Sequence, residues 1–413
     1  MKKQILALTI GLASVASFAQ KNELKAAEKA LKKNDFAAAV AAISSAEALI
    51  ANADEKTKSK FYFLKGNAYA GKKDLKTAGN AYNELLDFEK KSGKKRYSDK
   101  VQPILSGLIK TVSEKAINQY NAKDYKGATE NFELTYNLSP KDTAFLFNAA
   151  VSASIAKDHE ASLKHYNSLR KLGYTGITTQ YMATSKETNE LEDLGSKQQR
   201  DLMVRTGAYI NPVDKNSESK AAGIIKSIAN ILSEQGKYEE AVATIKEARA
   251  MNPEDLSLLL TEADFYIKLN KMDEFATLMK EAVVKDPNNA MLFYNLGVVT
   301  FGQGQIEEAK KYYKKAIEID PNYSDAYLNL SIAILAKDKA IVEEMNKSLS
   351  DFKKYDELEK QQKAVYKEAL PYLEKGDALK RTNETVKTLL NIYQILENEA
   401  KAKEYAELYK KMQ

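Results

Sequence analysis

The sequence predicts an all-α protein, a solenoid of about nine helix hairpins with a small non-repeat insertion in the middle that contains a β-hairpin. The first observation behind this prediction is a pattern of small and large apolar residues that returns every 34 residues. A fixed period of this length is typical of stacked units, none of which buries its apolar face alone. The second is composition: only seven prolines and 17 glycines interrupt a chain rich in Ala, Lys, Glu and Leu, which favour helices.

The clearest unit spans residues 290–323 and is predicted to form two amphipathic helices that fold back on each other. Small residues stand where the two backbones must approach closely, and larger residues fill the space between them. A proline closes the second helix because it cannot continue the hydrogen-bond ladder. The small residues are Gly297, Ala309 and Ala316, the larger ones are Phe293, Leu296 and Tyr313, and the proline is Pro321.

The same phase holds for four consecutive units, which start at Ala222, Leu256, Ala290 and Ser324. The pattern of these units resembles the tetratricopeptide repeat (TPR). It consists of a large residue, then Leu-Gly, and then a spaced Ala, aromatic residue, Ala and Pro. The resemblance implies a right-handed α-solenoid of TPR hairpins that binds other proteins and is not an enzyme.

The period also divides the chain into segments. About four looser repeats are predicted over residues 20–176. The regular array covers 222–255, 256–289, 290–323 and the first helix of an eighth repeat at 324–336, and residues 364–413 are predicted to form C-terminal TPR and capping helices. Between the second and third repeats, residues 93–108 break the period, and we expect the part from Tyr97 onward to lengthen the following helix.

Two longer insertions are predicted. Residues 177–221 include Thr178–Met182, a β-prone run, so we expect a short hairpin and one helix there. Asn211-Pro212 and residues 214–219 predict a polar loop at its end. Residues 337–363 are predicted to be a helical insertion in the eighth repeat.

Residues 1–19 are predicted to be a signal peptide. Two lysines precede an apolar run from Ile5 to Val15, and Ser17 and Ala19 are small residues at the positions that signal peptidase inspects. We therefore expect cleavage before Gln20. The alternative is an uncleaved anchor, but the run is shorter than the ~20 residues that span a bilayer.

The composition limits the cell compartments and the classes of partner that we expect for this protein. The absence of cysteine excludes disulfides, cysteine ligands and a lipid-modified cysteine after the signal. We expect no transmembrane segment after cleavage and a periplasmic protein, with a secreted or peripherally outer-membrane-associated protein as alternatives. Without the two lysines of the signal peptide the formal net charge falls from +6 to +4, which gives no reason to expect nucleic acid as a partner.

Three motifs have some features of ligand sites. The basic run from Lys90 to Arg96 surrounds Ser92-Gly93 and is interpreted as a solvated loop, with an anion site as the alternative. Residues 66–73 match most of a phosphate-binding loop but end in Lys73 where a hydroxyl is required. His159 and His165 are six residues apart and therefore not on one helix face. We expect no catalytic residues, no cofactor and no metal.

One set of residues predicts a peptide-binding groove. In the TPR family the first helix of each repeat lines the concave surface, and the resemblance implies that positions 2, 5, 6, 9, 12 and 13 face it. Position 6 is Asn148 in the fourth repeat, and asparagine can both donate to and accept from a peptide backbone. The predicted groove consists of Ser227, Thr261, Tyr294, Asn295, Val298, Phe301, Leu328, Asn329 and Ile332, with Leu335 beside them. The alternative is that the apolar members pack beneath the 337–363 insertion.

Three functions remain open. The first is a scaffold or chaperone-like adaptor that binds envelope or secreted proteins. The second is a structural subunit of an envelope or secretion assembly, which should carry a large apolar patch elsewhere. The third is a hydrolase or glycan-binding protein that uses the insertion at 177–220, and this requires a pocket with convergent polar groups.

Overall fold

A computed structural model describes residues 20–413, and the predicted signal peptide lies outside this range. The chain divides into two units, one ending at Ile231 and the other spanning Leu232–Gln413. Within residues 20–413, no helix combines the length and the apolar character that a membrane crossing requires.

The N-terminal unit is built from antiparallel helix hairpins, in which each helix packs against the next one along the chain. Its helices are α1 (20–32), α2 (Phe36–Glu47), α3 (Glu55–Gly71), α4 (Leu75–Ser92), α5 (Ser98–Asn121), α6 (Tyr125–Leu138), α7 (Thr143–Ile155) and α8 (His159–Lys171), with one 3₁₀ turn at Ile50–Asn52. Helix α5 begins at Ser98, so the expected extension of this helix at its N-terminus is confirmed.

Eight of the described hairpins have the same short turn between their two helices. A residue in the left-handed region, with φ between 55° and 77°, precedes the residue that caps the next helix. In the N-terminal unit the cap is an aspartate, as where Asp74 accepts a hydrogen bond from the amide of Thr77 at 3.1 Å. Such caps satisfy amides that have no partner within the helix. The left-handed residues are Asn34, Lys73, Lys123, Lys157, Gly236, Asn270, Gly304 and Glu397.

The central insertion forms a three-stranded antiparallel sheet and one helix. The strands are β1 (Thr179–Ser185), β2 (Leu191–Asp193) and β3 (Tyr209–Asn216), in the order β2-β1-β3, and α9 (Lys197–Arg205) lies between β2 and β3 in the chain. The predicted hairpin and helix are therefore confirmed.

The predicted loop at Asn211-Pro212 is wrong, because both residues belong to strand β3. Met182 pairs with Val213 and Thr184 with Ile210, so Asn211 and Pro212 together oppose a single residue, Ala183, in a β-bulge. Strand β3 lies at the sheet edge, where proline is tolerated since no neighbouring strand needs its missing N–H.

The two faces of this sheet differ. Helix α9 covers one face, where the guanidinium of Arg200 lies 5.7 Å from the centre of the Tyr181 ring and Nη1 lies 2.6 Å from Asp214 Oδ1. The strand pairing places a set of apolar residues on the other face, and three of them are 38–48% exposed. This uncovered apolar sheet face consists of Met182, Leu191, Ile210 and Val213.

Helix α10 (Ala221–Glu234) contains the boundary between the units, and the C-terminal unit continues the hairpins. Its further helices are α11 (Tyr238–Met251), α12 (Leu256–Lys268), α13 (Met272–Lys285), α14 (Ala290–Gly302), α15 (Ile306–Ile319), α16 (Ser324–Leu335), α17 (Asp338–Lys347), α18 (Phe352–Leu379), α19 (Asn383–Ile395) and α20 (Glu399–Met412). Helix α18 packs as the second helix against α16 and runs continuously across residue 363, where the predicted insertion ended.

The core has the composition that the period predicts. Ala309 and Ala316 are fully buried, as are Ala241 and Ala248 at the equivalent positions two repeats earlier. Small residues at these positions let the paired helices approach, so the all-α repeat fold is confirmed.

Candidate peptide-binding groove

An open groove of about 590 Å³ lies in the C-terminal unit between α12 and α14, the first helices of two successive hairpins. Helix α13, which connects them, provides three more of its lining residues. The lining is mostly apolar and includes three methionines, whose side chains adapt to different partners. We call it the α12–α14 groove; its lining residues are Leu260, Asp264, Ile267, Met272, Phe275, Met279, Met291, Leu292, Asn295, Val298, Val299, Gly302 and Gln303.

Helical spacing places these residues on one side of each helix. Leu260, Asp264 and Ile267 follow one another at intervals of four and three residues, which is the spacing of a single helix face. The apolar surface of the groove is open to solvent, because four of its side chains are 37–52% exposed. These four are Ile267, Met272, Met291 and Val298.

Asp264 is the only ionisable residue in the lining. Within residues 20–413 its carboxylate has no hydrogen bond and no ion pair. Asp264 is exposed to solvent, but partial desolvation by its apolar neighbours raises its pKa, and the charge of Lys268, one turn along α12, acts in the opposite direction. The ammonium of Lys268 is engaged elsewhere, 3.0 Å from Ser233 Oγ and above the rings of Tyr238 and Phe265.

Asn295 provides the second uncommitted polar group of the groove. Its side chain is half-buried, and its amide has no hydrogen-bond partner in the part of the chain that the structure describes. The neighbouring amide of Gln303 differs, since its Nε2 donates to Asp273 Oδ1 at 2.7 Å. Asn295 thus offers both a donor and an acceptor to a bound backbone.

The structure brings two of the nine predicted groove residues, Asn295 and Val298, into this lining. Two others are bonded to each other, since Asn329 Nδ2 donates to the hydroxyl of Tyr294 at 3.0 Å. Asn329 is therefore committed to holding two hairpins together.

The remaining apolar members of the predicted set lie outside the groove. Phe301 packs against the buried cluster that contains Tyr313, and Leu328 packs against the cluster that contains Leu373. Ile332 on α16 is 49% exposed but does not line the α12–α14 groove. All lining residues fall between 260 and 303, so no residue of the 337–363 insertion contributes to the lining.

The serine and the threonine of the predicted groove, Ser227 and Thr261, are bonded within their own helices. Thr261 Oγ1 donates to the carbonyl of Ser257 at 2.7 Å, and Ser227 Oγ donates to the carbonyl of Gly223 at 2.9 Å. Ser227 belongs to the N-terminal unit. Position 6 of the fifth to eighth repeats is Ser227, Thr261, Asn295 and Asn329. Of these four, Asn295 is the one whose side chain has no hydrogen-bond partner among the described residues.

The N-terminal unit contains a smaller groove of the same kind. Asn148 lines a cavity of about 260 Å³ together with Ile117, Tyr120, Phe132, Phe147 and Val151. Its amide, like that of Asn295, has no hydrogen-bond partner among the described residues.

Sequence reasoning missed most of the α12–α14 lining. The apolar residues of the predicted groove all come from the seventh and eighth repeats. Leu260, Asp264 and Ile267 occupy concave positions 5, 9 and 12 of the sixth repeat and were not included. The lining residues contributed by α13 belong to a second helix, which the rule for first helices does not include.

The other weighed motifs have structural roles. Gly66 lies in the middle of α3 against the ring of Tyr82, where no strand precedes it and no phosphate loop can form. His165 is buried, with Nε2 3.6 Å from Glu133 Oε2. Across residues 20–413, no group of three His, Asp or Glu side chains has the arrangement needed to hold a metal ion.

Tetratricopeptide repeat models match residues 59–92, 232–293, 290–323 and 312–350. No curated protein is significantly similar to the chain. Similar solved structures include the C-terminal part of a TPR repeat-containing protein from Cytophaga hutchinsonii, at 13% identity and a TM-score of 0.48, over 72% of this chain and 93% of that chain. YrrB, a TPR protein with an unusual peptide-binding site, has 14% identity and a TM-score of 0.33 over 52% and 88%. MamA has 19% identity and a TM-score of 0.33 over 45% and 92%.

The matched residues lie in both units and coincide with helix hairpins. Residues 59–92 fall on α3 and α4, and residues 232–350 extend from the end of α10 to α17. The chain is a tetratricopeptide repeat protein.

Proposed function

We propose that this chain is a non-catalytic scaffold or chaperone-like adaptor of the cell envelope that holds a segment of a partner protein in the α12–α14 groove. The observation that carries the proposal is the open apolar lining around the uncommitted amide of Asn295. Apolar surface of this kind favours burial by a partner, and an amide that offers both a donor and an acceptor can bond a peptide unit.

The chemistry of the groove supports binding in preference to catalysis. Its polar lining groups are the carboxylate of Asp264 and the amides of Asn295 and Gln303. Acyl or phosphoryl transfer needs a nucleophile, a base and a site for the developing charge in one place. A single carboxylate between apolar walls does not provide that set.

We further propose that the chain is exported, with residues 1–19 removed as a signal peptide. Gln20 is buried in α1, and its Nε2 donates to the carbonyl of Leu49 at 2.7 Å. Cleavage before Gln20 would therefore retain the residue that makes this contact. The test is the intact mass of the protein from the periplasmic fraction, which should correspond to a chain that starts at Gln20.

A photocrosslinking amino acid in place of Val298 tests the groove in cells. Val298 is 42% exposed and lines the groove, whereas Val284 is 80% exposed and does not, so Val284 is the matched control. We expect crosslinks to other proteins at position 298, and we expect Asn295→Ala to reduce them, since each lost neutral hydrogen bond weakens binding by ~0.5–1.5 kcal/mol. Equal crosslinking at both positions would contradict binding in this groove.

A structural subunit of an envelope assembly is the second candidate, because the uncovered apolar sheet face provides an apolar patch in the N-terminal unit that is separate from the groove lining. If this face contacts a subunit, Val213→Lys should release the protein from an isolated envelope complex while groove variants leave it bound. The insertion gives less support to a hydrolase, since α9 covers one sheet face and the other is apolar.

A further inference from the structure

Asp264 places a carboxylate without a hydrogen-bond partner in the apolar lining of the groove. It lies on α12 between Leu260 and Ile267 in a lining that is otherwise uncharged. Asp264 is exposed at the surface of the groove, so a bound apolar segment would remove water from its carboxylate, and this costs free energy unless a donor replaces that water. No donor from residues 20–413 does so.

Two further charged groups, Asp273 and Lys268, lie near the lining. Gln303, at the rim, donates to Asp273, which places a second carboxylate beside the opening. The nearby cation of Lys268 is held by Ser233 and by two aromatic rings. The lining itself therefore offers a carboxylate to a bound cation and no cation to a bound anion.

On the basis of the proposed function, we infer that the α12–α14 groove selects a partner segment in which apolar side chains flank a single lysine or arginine. The cation pairs with Asp264, the apolar side chains cover Met291 and Val298, and a peptide unit of the segment bonds Asn295. Acidic segments are excluded, because the lining has no cation to receive them.

Two substitutions test this inference: one removes the charge of Asp264, and the other blocks the groove. Asp264→Asn keeps the shape of the side chain and removes its charge; Asp356→Asn, on the exposed surface of α18, is its matched control. Gly302→Arg fills the groove, since a Cβ atom on Gly302 meets no atom within 4 Å. Gly107→Arg is the corresponding control, because Gly107 is also helical, equally open and far from the groove in sequence.

The experiment is a selection of random twelve-residue peptides, about 40 Å long when extended, on the full mature chain. Affinities of the selected peptides are then measured by fluorescence anisotropy. We expect apolar peptides that contain one lysine or arginine. Asp264→Asn should weaken their binding about ten-fold or more, and replacing the peptide lysine by norleucine should weaken binding to the wild type by a similar factor. The two changes together should cost no more than either alone.

The outcomes separate the inference from the proposed function. Peptides without a basic residue, or an effect of Asp264→Asn no larger than that of Asp356→Asn, would overturn the inference. The groove function would still stand if Gly302→Arg abolished binding and Gly107→Arg did not. If the wild type selected no peptides beyond those selected by Gly302→Arg, both the groove function and the inference would be wrong.

Discussion

The ring of Tyr313 lies directly against the backbone of Gly297. A Cβ atom on Gly297 would come within 2.6 Å of Tyr313 Cε1 and 2.7 Å of Cδ1. Gly66 and Tyr82 have the same relationship in the second repeat, with the same separation in sequence. The two helices of a hairpin can therefore approach this closely only because the first one lacks a side chain at that point.

Gly297→Ala and Gly297→Leu should both destabilise the C-terminal unit, because the added atoms overlap the buried ring of Tyr313 and overpacking typically costs ~1–3 kcal/mol. Local hydrogen exchange of α14 and α15 measures the effect, since repeats open locally. Gly302→Ala in the same helix is the control and should be neutral or stabilising by up to ~1 kcal/mol. Equal effects at the two glycines would show that the close approach does not matter.

Glu89 should contribute strongly to the connection between α4 and α5. Its buried carboxylate accepts hydrogen bonds from the amides of Arg96 at 2.8 Å and Ser98 at 3.0 Å, and from Ser98 Oγ at 2.7 Å. Burial opposes its ionisation, but these hydrogen bonds outweigh it and hold the pKa of Glu89 below its usual value. We expect Glu89→Gln to cost roughly 1.5–3 kcal/mol of unfolding free energy. The exposed Glu84→Gln should change it by less than about 0.5 kcal/mol.

The lowered pKa of Glu89 also predicts the direction of its pH effect. Its stabilisation is fully present above the pKa of the unfolded carboxyl, near 4.5, and is lost as pH falls through the folded pKa. The penalty of Glu89→Gln should therefore shrink in acid.

Arg249 on α11 connects three consecutive helices through ion pairs. Its Nη1 lies 2.5 Å from Glu262 Oε2 on α12, and its Nη2 lies 2.9 Å from both oxygens of Glu281 on α13. Glu262 is almost fully buried, so Arg249→Met would leave a buried carboxylate with only Lys246 at 3.9 Å. We expect a loss of roughly 3 kcal/mol. Lys246→Met should cost below about 1 kcal/mol, and adding Glu262→Met to Arg249→Met should restore most of the loss.

His165 should make the N-terminal unit sensitive to mild acid. Burial lowers the pKa of His165 more strongly than the charge of Glu133 raises it. The unfolded chain therefore takes up a proton near pH 6.5 while the folded chain does not, so stability falls as pH falls below that value. The slope from one group is at most about 1.4 kcal/mol per pH unit.

The measurement is urea unfolding of the wild type and of His165→Leu between pH 7 and pH 5. We expect the wild-type midpoint to fall across this window and the variant midpoint to change much less. His159→Gln, which removes the other histidine, should keep the wild-type slope. A slope that survives His165→Leu would assign the effect to other groups.

The hairpin core could be predicted because its buried positions depend on helix spacing within one repeat. Gly297, Ala309 and Tyr313 occupy roles that the 34-residue period assigns without any knowledge of distant contacts. Strand β3 could not be predicted in this way. Asn211-Pro212 has the composition of a loop, and its place in the sheet depends on a bulge opposite Ala183, which the local sequence does not reveal.

The candidate site was only partly predictable for a related reason. The position rule identified Asn295 and Val298, since both lie on the exposed face of a first helix. It could not reveal that Asn329 bonds Tyr294, because that contact depends on how two successive hairpins are spaced. It also omitted Phe275 and the two methionines of α13, since the rule covers first helices only.

The turn that the hairpins share affects how such a chain can gain or lose residues in evolution. The backbone has the same conformation at Lys73, Lys123 and Lys157, and an aspartate cap follows each of them. A chain cut at one of these turns and rejoined at another would meet the same entry and exit geometry on both sides of the junction. Whole hairpin lengths can therefore be duplicated or deleted by recombination without a change in the backbone turn at the new junction.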